Sequence, residues 1–205
     1  MRTMNDAPTT TVAPMQRARV GMASLIFMES ALFCSFLVTY LYYIGKSPTG
    51  PQPMDCLELG LVTVNSVCLL ASSATVVLAV RALASGSRKR FQVWMLVTLL
   101  LGVEFLAGTG LEWKKLIELK GLEIDSNAFG TTFYTLVGFH AFHVVVGLLL
   151  LSGTLLLSLC GCVQPSRDSG RVEVVTWYWH FVDVVWIFVF TLVYFVGRVP
   201  QEAIS

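Results

Sequence analysis

Charge is what this sequence has least of. Only 13% of its 205 residues are Asp, Glu, Lys or Arg, against about 25% in an ordinary soluble domain. The net charge is +1, so there is no basic footprint for a phosphate backbone, and nucleic acid is excluded as a partner. The five cysteines lack CxxC spacing and form neither a disulfide framework nor a zinc-finger pattern. HExxH and GxSxG are both missing, which removes the usual signatures of a zinc hydrolase and of a serine hydrolase. What is there is apolar: 55% of residues are hydrophobic and the mean hydropathy is +0.71. A disordered chain and a cytosolic enzyme are both poor fits, and a polytopic membrane protein remains.

A bilayer crossing needs about 20 mainly apolar residues in a helix. Five stretches qualify: 20–44, 59–80, 91–111, 132–159 and 174–196. No alternating ten-residue pattern of a barrel occurs, so the expected fold is all-α, a single five-helix transmembrane domain over 20–200. Residues 1–19 read as a flexible cytoplasmic tail without the layout of a cleavable signal. Gly45–Pro53, the basic turn around Arg88-Lys89-Arg90, the polar segment 112–130 (in part helical) and 161–171 read as connections. Nine of the 14 basic residues fall on the side of the N-terminus and the 2–3 and 4–5 connections, and five on the other. That bias places the N-terminus in the cytoplasm and the C-terminus outside.

Six ionisable residues lie within the spans: Glu29, Glu104, His140, His143, His180 and Asp183. They include all three histidines of the chain. Such groups face protein, pair, or do work, because each costs a few kcal/mol in lipid. With a rise of 1.5 Å per residue, Glu29 and His180 lie about 4 and about 7 Å to the inner side of their span centres, with Asp183 nearer the middle. His140, His143 and Glu104 lie about 7, about 3 and about 4 Å to the outer side. Depth matching therefore groups Glu29 with His180 and Asp183, and Glu104 with His140 and His143.

The plain reading is that these groups staple helices together, at roughly 1 kcal/mol or less each. Haem ligation is the sharper one, but His143 and His180 differ by about 10 Å in depth and could not reach one iron. No third ligand converges for zinc. In a third reading, Glu29 holds a proton and exchanges it with a histidine, although so few groups cannot form a wire across a bilayer. Asn65, Ser66, Ser72 and Ser73 read as helix-packing contacts, Gly102, Gly108 and Gly110 as sites of close approach, and Gly147 as the i,i+4 neighbour of His143. Trp113, Trp177 and Trp179 read as interfacial anchors, Glu112 as part of the same belt, and the thiols as buried and inert.

Two long segments carry a resemblance. Phe133-Tyr134-Thr135-Leu136-Val137-Gly138-Phe139-His140-Ala141-Phe142-His143-Val144 and Trp177-Tyr178-Trp179-His180-Phe181-Val182-Asp183-Val184-Val185-Trp186 resemble the signatures of the cytochrome c oxidase subunit III family, in its short five-span form. Glu29 falls where that family carries a buried first-span carboxylate, and Glu112-Trp113 resembles the pair ending its third span. Val137, Ala141, Thr109 and the order Met28-Glu29-Ser30 depart from the pattern, and Glu104 stands at a position that is generally apolar. The resemblance implies a non-catalytic subunit of a bacterial inner-membrane oxidase that reduces dioxygen and pumps protons. Haem a and copper would sit in partner subunits, and this chain would bind phospholipids. Subunit I would be the direct partner, with subunit II, small subunits and other respiratory complexes beyond it. It further implies a lipid-cleft and proton-uptake role for Glu29, His180 and Asp183, and a packing role for His140, His143, Gly147 and Glu112; a packing role for Glu104 rests on the depth matching alone. The third subunit of a quinol oxidase and the accessory protein of nitric oxide reductases are alternatives; a free-standing transporter is more remote.

Overall fold

The computed structural model describes residues 14–44, 59–165 and 168–198. The Gly45–Pro53 connection, Cys56, and the tail before Pro14 lie outside the described residues. Five helices carry the chain: α1 Pro14–Tyr43, α2 Leu59–Ala84, α3 Arg88–Lys120, α4 Ala128–Leu159 and α5 Ser169–Phe190. A π-helical turn, Thr191–Phe195, and a 3-10 turn, Val196–Arg198, extend α5. All five helices are long and apolar enough to cross a membrane, and an unbroken helix is the way a chain satisfies its backbone groups in lipid.

The ends of α3 and α4 follow from local chemistry. Gly121 takes φ 62° just past Lys120 and Leu122 N–H returns to Leu116 O at 3.1 Å, a left-handed stop that glycine adopts without a Cβ penalty. Asn127 then caps α4, its side-chain oxygen accepting from Gly130 N–H at 2.8 Å; this satisfies one of the free donors of the first turn. The polar segment after residue 112 is therefore mostly helix, with only 121–127 as a connection. Arg88-Lys89-Arg90, expected in a turn, already forms the first turn of α3.

Packing follows chain order except at α1. α2 lies against α3 and α5, α3 against α4, and α4 against α5, whereas α1 packs chiefly on α4 and α5. One face of α1 is left bare, with Phe27, Met28 and Val38 exposed by 77, 70 and 65%. At the centre sits Trp179 of α5, fully buried. Its ring lies between Gly102 of α3 and Gly147 of α4: a Cβ on either glycine would come within 2.8 or 2.7 Å of it. Small residues here let three helices close on one indole. Gly108 is likewise pressed by the Asn65 amide, whereas Gly110, expected at a close approach, faces open space.

Candidate functional site: polar cross-links within the bundle

Span two supplies a ladder of hydroxyls to span five. Trp186 Nε1–H donates to Ser66 Oγ and Trp179 Nε1–H donates to Ser72 Oγ, each at 2.9 Å. Ser73 Oγ lies 2.8 Å from His180 Nδ1 and is hydrogen-bonded to Asp183 Oδ2. A hydroxyl has one hydrogen. With Asp183 as the acceptor, Ser73 donates to the carboxylate and accepts from His180 Nδ1–H. The two indoles and the His180–Asp183 pair thus meet antiparallel α2 at matching steps, because 66 and 72 run opposite to 186 and 179.

Glu29 of α1 does not join this group. Its Oε2 lies 3.1 Å from His143 Nε2 on α4. His143 Nδ1 lies 2.7 Å from Phe139 O. A carbonyl can only accept, so Nδ1 must carry hydrogen, and one further proton lies between Nε2 and Oε2. The dyad holds that proton either as carboxylic acid and neutral imidazole or as carboxylate and imidazolium. Phe33, 4.9 Å from the His143 ring, and Tyr178, stacked at 6.4 Å, wall the pair.

Three other expected positions resolve differently. His140 is fully buried, and neither ring nitrogen has a hydrogen-bond partner among the described residues. Trp186 stacks on it at 4.8 Å, and Phe105 and Phe33 approach edge-on at 5.8 and 6.5 Å. Glu104 meets neither histidine; the Cys68 thiol stands close to it instead, and its Oε2 is buried without a partner among the described residues. Glu112 is buried and accepts from Tyr194 O–H at 2.8 Å, so it ties α3 to the turn after α5.

The depth matching therefore holds for His180 with Asp183 and is corrected for Glu29 and for Glu104 with the other two histidines. Glu29 pairs with His143, and His180 and Asp183 pair through Ser73. The arithmetic failed because it took span centres as one plane. The helices run 22 to 33 residues, several of them well past the length a perpendicular crossing needs, so tilt and overhang shift the centres against one another. Trp179 is no interfacial anchor: it is 0% exposed with its N–H satisfied inside. Trp177 and Trp113 are half-buried. The thiols of Cys34, Cys160 and Cys162 are exposed rather than buried.

Among the described residues no three His, Cys, Asp or Glu gather as metal ligands. Two of the three imidazoles are committed to protein partners, and the third is enclosed by rings. This is a set of interhelical cross-links, and comparison with known proteins says whose. A family model for cytochrome c oxidase subunit III matches residues 4–198. The chain belongs to the cytochrome c oxidase subunit III family. Cytochrome c oxidase subunit 3 of Bacillus subtilis (strain 168) is 36% identical over 171 residues, covering 83% of this chain and 82% of the relative. The probable cytochrome c oxidase subunit 3 of Mycobacterium leprae is 32% identical over 197 residues, 95% and 96% of the two chains. Quinol oxidase subunit 3 of B. subtilis is 33% identical over 180 residues, 87% and 86%.

As a heme–copper oxidase subunit III, the chain carries both of its motif segments at the heart of the bundle. The first supplies His140 and His143, the second Trp179, His180, Asp183 and Trp186. Sequence reasoning missed that the serines of α2 are the specific partners of the second segment and that Tyr194 serves Glu112. The ladder left one signal. Ser66 and Ser72 are six residues apart and Trp186 and Trp179 seven, close to two helical turns in each case.

Proposed function

We propose that this subunit III serves, without a redox centre of its own, a proton-pumping terminal oxidase of the aa3 type that oxidises cytochrome c. In this reading it lies in the bacterial cytoplasmic membrane with its N-terminus inside and its C-terminus outside. It packs directly on subunit I, where haem a and copper reside, within a complex that includes subunit II and small subunits. The observation that carries the reading is the family match along residues 4–198. The internal commitment of the histidines supports it: a side chain held by Glu29 or Ser73 is a structural strut in this bundle. The asymmetry of basic residues supports the orientation.

Glu29, with its shared proton at the α1–α4 seam, supports a role beside bound phospholipid and in proton uptake by the neighbouring subunit. The His180–Ser73–Asp183 group is offered for the same role at the α2–α5 seam. The test is gentle solubilisation, isolation through a tag on this chain, and a visible spectrum with partner masses. Haem a absorption with a large haem-bearing partner is the expected result. Haem b and o would instead favour the second reading, a quinol oxidase, which the 33% identity to the B. subtilis quinol oxidase subunit 3 keeps open. A chain that isolates alone, with no haem-bearing partner, would overturn both.

A further inference from the structure

Glu104 is the mid-span carboxyl for which the described residues supply no strong partner. It stands at the middle of α3, far from either end of an apolar span. Its Oε2 is turned into the bundle with no hydrogen-bond donor among the described residues. The thiol of Cys68 on α2, a weak donor, stands close to the carboxyl, and the rest of the side chain is half-exposed to the outside of the bundle. Among the described residues the cations in ion pairs, Lys114, His143 and Arg171, pair with Glu118, Glu29 and Asp168. A mid-span carboxyl without a strong partner is unfavourable by a few kcal/mol. Every comparable carboxyl here has a better one: Glu29 has an imidazole, Asp183 a hydroxyl and Glu112 a phenol.

The surface around Glu104 is built for another helix. Glu104 is half-exposed between α2 and α3, with exposed Leu100 one turn before it and exposed Ala107 one turn after. Val64 and Ala71 continue the same strip on α2, also exposed. Small side chains beside an acid let a neighbouring backbone come close, and the acid then offers a strong, directional contact.

We propose that this face of α2 and α3 receives a transmembrane helix of a neighbouring oxidase subunit, and that the helix places a Lys, Arg or His cation against Glu104. The complementarity is of charge: a half-exposed acid at mid-span calls for a basic donor, and among the described residues no ion pair includes Glu104. The inference rests on the reading of the chain as an oxidase subunit. It goes beyond that reading by naming the face, the residue and the chemistry of the partner.

The test uses the assembled oxidase. A benzophenone amino acid is placed at Leu100 or at Ala107, the complex is irradiated in its membrane, and adducts are mapped by mass spectrometry. The expected adduct is to one oxidase subunit, on a peptide with a Lys, Arg or His within one helical turn of the cross-link. Glu104→Leu should speed loss of this chain from the complex in detergent by about tenfold or more, since the partner charge is stranded. Glu104→Lys combined with Glu at the mapped cation should restore retention. Adducts to lipid alone, a mapped peptide without a cation, or a Glu104→Leu complex as durable as the parent would each overturn the proposal while leaving the oxidase reading intact. Failure of any haem-bearing subunit to co-purify would instead overturn that reading.

Discussion

The Glu29–His143 dyad makes a demand that can be measured directly. Because His143 Nδ1 donates to Phe139 O, the Nε2–Oε2 contact contains a single proton. Glu29→Gln keeps a donor toward a neutral imidazole, so the pair survives as an ordinary neutral hydrogen bond. Its loss of stability should be about 1 kcal/mol or less, the usual net worth of such a bond and close to the averages found between membrane helices. Glu29→Ala leaves Nε2 buried with nothing to meet it, and burying an unsatisfied polar group costs about 1–3 kcal/mol. The low end applies, because the Glu29 side chain is 26% exposed while that of His143 is only 7%. Retention of α1 on α4 and α5 should therefore fall in the order parent, Gln, Ala. The assay is thermal dissociation of the assembled oxidase, together with 15N spectra of complexes in which only this chain carries labelled histidine. With three histidines in the chain, the His143 signals can be assigned by His143→Gln. Nδ1 should be protonated in the parent and remain so in Glu29→Gln, with a neutral ring in the latter. A bare Nδ1 in the parent, or an Ala variant as stable as the Gln variant, would refute the assignment.

Further outcomes follow from the same contacts. Gly147→Ala drives a Cβ to 2.7 Å from Trp179 and should destabilise by about 1–3 kcal/mol, as overpacking does. Gly153→Ala on the same helix meets nothing within 4 Å and should leave the melting temperature unchanged or slightly raised. Ser73→Ala removes the hydroxyl shared by His180 and Asp183, whose Oδ1 is already unpartnered; a loss of about 1–3 kcal/mol is expected, and Ser73→Thr should recover most of it in the same thermal assay. Tyr194→Phe takes the phenol from Glu112 and should loosen the turn after α5, seen as faster hydrogen exchange at residues 191–198.

Much of the architecture could be read without coordinates. Length and hydropathy alone marked five spans, since a helix that must cross lipid leaves a local record of about 20 apolar residues. The stop at Gly121 and the start at Asn127 lay inside the segment read as a connection, and the expected boundary near residue 111 fell nine residues short of the end of α3, whose last turns carry Lys114, Lys115 and Lys120. The two motif segments were legible as a resemblance, and the whole-chain family match agrees with it.

What no local pattern could give is who meets whom. A helix of 30 residues presents every side chain somewhere, and its tilt and rotation are set by its neighbours' shapes. Glu29 finds His143 because α1 packs on α4 and α5 rather than on its sequence neighbour. Trp179, which a sequence reader places in a belt at the lipid surface, is drawn inside because Gly102 and Gly147 leave a slot of its thickness and Ser72 accepts its N–H. The number of helices and the places where they stop are properties of the chain; the pairing of its few charged groups is a property of the bundle, since contact between helices depends on distances that spacing along one helix does not contain.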